Sequence, residues 1–141
     1  MTRDLIDRLS KLDAPDREVD AEICIALQYV NQKGATNIRR DPYDEEFKDE
    51  WLDFEVDGEL WTEKTPELTA SVDAAIALAA RVLPGWVFDN VGQDFHSVPG
   101  GYKAFGWTVE LINGTRVQGQ APTFPLAICI ALLRAKEAER D

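Results

Sequence analysis

Carboxylates are the most abundant groups in this sequence that could do chemistry: 26 of 141 residues are Asp or Glu. Two carboxyl groups held about 5–9 Å apart across a sugar-binding cleft are enough for glycoside hydrolysis. With this many acids some pair meets that spacing by chance, so a solvated acidic face is the plainer expectation. The run Asp53-Phe54-Glu55-Val56-Asp57-Gly58-Glu59-Leu60 superficially resembles the opening of an EF-hand calcium loop, with Gly sixth and an aliphatic residue eighth. Such a loop closes on a bidentate Glu at its twelfth position. Here that position is Lys64, and the alternating residues read instead as a β-hairpin turning at Asp57-Gly58.

The single histidine, His96, has few partners for catalysis. Cys24 and Cys129 fall on apolar helical stripes and read as small core residues, which leaves no zinc ligand set. The serines are Ser10, Ser71 and Ser97. The first two sit at helix positions, and Ser97 adjoins His96 in sequence. No nucleophile elbow, P-loop or dinucleotide fingerprint occurs. The expectation is therefore a protein that is not an enzyme, with no metal and no cofactor. The stretch from Gly92 to Lys103 reads as a loop with the composition of a ligand site: glycines for close approach, Phe95 and Tyr102 as stacking faces, His96 and Lys103 to meet an anion. The plainer alternative is a strand connection whose aromatics cap a sheet.

The net charge of −11 argues against direct binding to nucleic acid, because that affinity comes from Lys and Arg displacing counterions. No apolar run reaches the ~20 residues needed to span a bilayer, and no signal-type segment opens the chain. Two cysteines do not make a disulfide scaffold, so a reducing cytoplasm is the expected setting. The length fits a single domain, 1–141.

The acidity is local. Residues 41–67 hold twelve acids against two bases, a charge of −10, while the remainder is close to neutral at −1. Asp44, Glu45, Glu46, Asp49 and Glu50 are the densest part and the candidate partner-binding residues. Tyr43, Phe47 and Trp51, at four-residue steps, would pack on the body or on a second copy, so an oligomer contact or simple solubility is the bland alternative.

The elements that must position these groups follow from periodicity. Leu5, Leu9 and Leu12 mark a helix over about 3–12, capped by Thr2. Pro15-Asp16 opens a second, whose stripe of Val19, Ile23, Ala26, Leu27 and Val30 runs until Gly34. A third starts at Thr69 or Ser71 as N-cap and ends at Pro84-Gly85. Strands follow at 86–88 and 104–112, then a two-residue turn at Asn113-Gly114 and a return strand to Gly119. Thr123 caps the last helix, with Pro125 in its first turn. In the acidic hairpin, a two-residue turn would set Phe54 opposite Trp61.

Three segments together resemble a known group. They are Asp4-Leu5-Ile6-Asp7-Arg8-Leu9 through Pro15-Asp16-Arg17-Glu18-Val19-Asp20-Ala21-Glu22-Ile23, then Thr69-Ala70-Ser71-Val72-Asp73-Ala74-Ala75 up to Leu83-Pro84-Gly85-Trp86, and Ala121-Pro122-Thr123-Phe124-Pro125-Leu126-Ala127 through Ala135. In that order they resemble the small phage and prophage proteins of the phage ABA sandwich domain family. The resemblance implies an α+β fold, an α-β-α layered sandwich with a small antiparallel sheet and helices packed on both faces. It implies a phage or prophage origin and carries over no catalytic residue. The sequence departs from the family in the acidic 41–67 segment, which reads as an insertion.

The function expected from these readings is that of a non-enzymatic accessory protein. It would inhibit a host protein through its acidic surface, most plausibly a nucleic-acid-binding component of antiviral defence. The alternative is a small-molecule binder or sponge for a nucleotide signal, using 92–103.

Overall fold

The computed structural model describes residues 2–40, 46 and 49–139. The elements run α1 (Thr2–Ser10), α2 (Arg17–Leu27), β1 (Thr36–Arg40), β2 (Trp51–Val56), β3 (Glu59–Lys64), α3 (Val72–Val82), β4 (Val87–Val98), β5 (Gly101–Asn113), β6 (Thr115–Ala121) and α4 (Phe124–Glu139). The class is α+β, as the sequence implied. The strands divide into two antiparallel three-stranded sheets, β1-β2-β3 and β4-β5-β6.

The helix at the centre is α4. All eight residues from Leu126 to Leu133 are buried, and so is Ala135. A helix apolar on every side belongs inside a core. It is enclosed by β5 and β6 together with α1 and α3. Thr123 caps it as expected, its carbonyl accepting from the Ala127 N–H at 3.1 Å. From the second sheet Val109 and Leu111 point into the core, and at Gly119 the strand offers no side chain at all. In the first sheet Leu52 and Phe54 alternate inward from β2 and are fully buried. The acidic segment thus supplies a central strand and two core residues.

The local signals explain most boundaries. Asp16 caps α2, its carboxylate accepting from the N–H groups of Glu18 and Val19. Ser71 caps α3 by accepting from Ala74. At Asp57-Gly58 both residues take positive φ, 52° and 83°, Val56 pairs with Glu59, and Phe54 faces Trp61. That is the tight turn the sequence predicts.

Three expectations need correction. First, α2 stops at Leu27 instead of running through Val30. Gln28 turns left-handed at φ 51°, and its side-chain amide bonds both the N–H and the carbonyl of Ile38, standing in for a strand neighbour of β1. Second, the turn at Asn113-Gly114 is not a two-residue one. Only Gly114 has positive φ, 76°, and pairing continues to Asn113 against Thr115, so three residues make the connection from Ile112 to Arg116. Third, residues 92–103 are not a loop. Gly92–Val98 and Gly101–Lys103 are paired strand, joined by Pro99-Gly100 with Gly100 at φ 89°. Pro then Gly in the two central positions suits a type II turn.

Candidate functional site

Two regions carry the residues singled out from the sequence. The first is the acidic one. Asp44 and Glu45, with Tyr43 and Phe47, lie outside the described residues. Glu46 is exposed. Asp49 and Glu50 are half-buried and already paired. Asp49 accepts from Arg40 Nε at 3.0 Å, and the Glu50 carboxylate stands 3.4 Å from Arg17 Nε. Glu55 likewise stands 3.6 Å from Arg39. Three arginines from outside the segment therefore answer three of its acids. Asp57 and Glu59 are exposed at the β2–β3 turn, while Asp53 and Glu55 share the outward face of β2 with Trp51.

Arg17 was not singled out from the sequence, and it organises this corner. Besides Glu50 it donates to Asp20 Oδ2 at 2.8 Å and to the carbonyls of Thr65 and Pro66 at 2.8 and 3.3 Å. Asp20 is fully buried and accepts from the Thr69 N–H at 2.7 Å and its hydroxyl at 2.8 Å. Burial pushes the Asp20 carboxyl above its ordinary value, against the opposing pull of Thr69 and Arg17. The one signal available in sequence was the three-residue step from Arg17 to Asp20 on a helix. The network ties α2 to the chain after β3; it is a clamp and presents no open cleft.

The second region is the distal half of the β4–β5 hairpin. Phe95, His96, Tyr102 and Lys103 all lie on it, but strand alternation divides them. Phe95 pairs with Ala104 and Ser97 with Tyr102, so Phe95 and Tyr102 share one face, ring centroids 5.2 Å apart and nearly perpendicular. His96 and Lys103 pair on the opposite face, where His96 stacks on Phe105 at 5.5 Å. No single small ligand touches all four. The hollow between Gln93, Phe95, Tyr102 and Ala104 is a shallow groove on one face of the ribbon.

A further hollow, about 350 Å³, lies between α1 and α2 over Leu5, Ile25 and Ala26. Its rim charges answer one another: Arg8 bonds Glu22, and Arg40 stands 3.7 Å from the same carboxylate. Cys24 and Cys129 are free and buried, as read, and burial raises both thiols, Cys24 to about 12. Among the described residues no group of three His, Cys, Asp or Glu is placed to hold a metal, and no helix is long and apolar enough to cross a membrane.

Comparison with protein-family models, curated proteins and solved structures returns no match.

Proposed function

We propose that this chain is a non-enzymatic accessory protein of phage or prophage type that binds and inhibits a host protein through its acidic surface. The observation that carries the reading is the separation of charge: −10 in residues 41–67 on a body of −1. Clustered carboxylates imitate the charge of a nucleic-acid backbone, speed encounter with a basic groove and occupy it. Glu46, Asp57 and Glu59 are exposed and suited to that contact, and half-buried Asp53 lies on the outward face of β2. Asp49 and Glu50 serve the fold through Arg40 and Arg17, so the binding charges are moved towards the hairpin turn.

The test is phage plating on bacterial hosts that carry antiviral defences, with and without expression of the protein. Plating should rise with the native chain and return to the defended level when Glu46, Asp57 and Glu59 are changed together to Gln, Asn and Gln with Asp44→Asn and Glu45→Gln. Changing Asp49 and Glu50 instead should lower stability. Unchanged rescue by the neutralised variant overturns the reading. If rescue is lost only on changing Tyr102 and His96, the small-molecule alternative takes its place.

A further inference from the structure

The β4–β5 hairpin outruns its sheet. β6 pairs with β5 only from Trp107 onward, so residues 95–105 stand as a two-stranded ribbon without a third strand. Such a ribbon is marginal in water on its own. Yet it carries the most exposed aromatics of the second sheet: Phe95 is 60%, Tyr102 73% and Phe105 60% exposed. Phe95 and Tyr102 form one apolar patch, with Phe105 on the other face, and exposed apolar surface of this kind marks a contact. Along the same edge Val87 and Val91 are also exposed.

β4 is an edge strand twelve residues long that contains no Lys and no Pro, the residues that usually guard such an edge. The one inserted residue on it is Asp89; a second irregularity falls opposite Asp94 and Phe95, where β5 carries the extra Phe105, and among the described residues no strand pairs with the outer edge of Asn90–Val98. Charge then narrows the occupant. Like charge between two copies is concentrated in residues 41–67, whereas residues 90–106 contain one Asp, one Lys and the single His and are neutral.

We propose that this ribbon is a self-association surface, on which two copies pair their β4 edges antiparallel about Phe95 to form a twofold dimer. Identical edges run antiparallel meet this symmetry without adjustment. The register is chosen by complementarity. Centred on Phe95, it sets that ring against its own copy with Tyr102 beside it, and it sets Asp94 opposite His96 twice. Asp94 is already held in place by the Thr108 hydroxyl at 2.7 Å. Phe95 and Tyr102, which share that face, offer on the order of 250 Å² per copy. That is below the ~800 Å² per partner of a standard interface, so the expected dimer is of micromolar strength, ~10 μM. The dimer is independent of the acidic surface, which it would present twice.

Sedimentation velocity over a concentration series to about 500 μM, well above the ~10 μM expected, tests it. The native chain should shift from monomer to dimer, and Phe95→Asp should remain monomeric with an unchanged far-UV spectrum and melting temperature. Phe95→Cys supplies a second measurement. Antiparallel neighbours have Cα atoms about 4.5–5.5 Å apart, within disulfide range, so mild oxidation should link two copies through position 95. Leu60→Cys, exposed on the other sheet, should not link. A monomer at every concentration overturns the proposal, as does a dimer that survives Phe95→Asp, or linkage through position 60 without linkage through 95.

Discussion

Gly119 of β6 lies directly against the backbone of Ala127 in α4: a Cβ placed on this glycine would stand 2.3 Å from the Ala127 carbonyl oxygen. The Ala131 nitrogen would be only 2.5 Å away. Strand and central helix therefore meet backbone to backbone, and the absent side chain sets their spacing. Gly119→Ala should cost at least about 3 kcal/mol, because neither obstructing group is a flexible side chain. Gly92→Ala, where a Cβ meets nothing within 4 Å, should change stability by less than about 1 kcal/mol. Urea unfolding of the pair checks this, and equal midpoints would refute it.

Thr65 has its N–H bonded to the Glu50 carbonyl at 2.9 Å and its carbonyl bonded by Arg17, but its buried hydroxyl finds no partner among the described residues. Thr65→Val keeps the shape and removes the stranded group. It should raise stability by about 1 kcal/mol, about 3 °C in melting temperature for a chain of this size. A fall of the same size in calorimetry would mean that the hydroxyl is satisfied.

Asp20 makes a signed prediction for pH. Its carboxyl is raised from the ordinary 3.8 by burial, so the folded state holds the proton more firmly than the unfolded state. The contribution of this group is therefore greatest below the ordinary value and declines as pH climbs through the raised one. Asp20→Asn lacks this dependence. The stability of the native chain minus that of the variant should shrink with rising pH over that window, measured by denaturant midpoints. A difference that grows instead would show that Arg17 and Thr69 outweigh burial.

Cys24 and Cys129 should resist an aromatic disulfide reagent at pH 8 until the chain unfolds. Both are fully buried, and burial holds the Cys24 thiol at about 12, so the reactive thiolate is scarce as well as shielded. Labelling with urea should release two thiols together at the unfolding midpoint. Fast labelling of one in native buffer would show local opening of α2 or α4.

The elements legible in sequence are those whose signals are local. Asp16 and Ser71 cap helices through bonds two or three residues away, and Asp57-Gly58 fixes a turn and with it the pairing of Phe54 with Trp61. What escaped depends on distant partners. Thr69 looked as good a cap as Ser71, but its hydroxyl is taken by Asp20, 49 residues earlier. Asp49 and Glu50 looked like open surface charge until Arg40 and Arg17 were brought beside them. The outer half of β4 has little apolar alternation; pairing with β5 defines it as a strand and makes Pro99-Gly100 its turn. The four candidate ligand residues lie together on one hairpin, and only the register shows that they face two ways.

The position of α4 in chain order also bears on how the protein is made. The ribosome releases this helix after every other element described, yet α1, α3 and the second sheet all close on it. Without Phe124–Glu139, α1, α3, β5 and β6 lack the helix they pack against. A chain truncated before Phe124 is therefore expected to stay unfolded, with the apolar faces that α4 covers exposed.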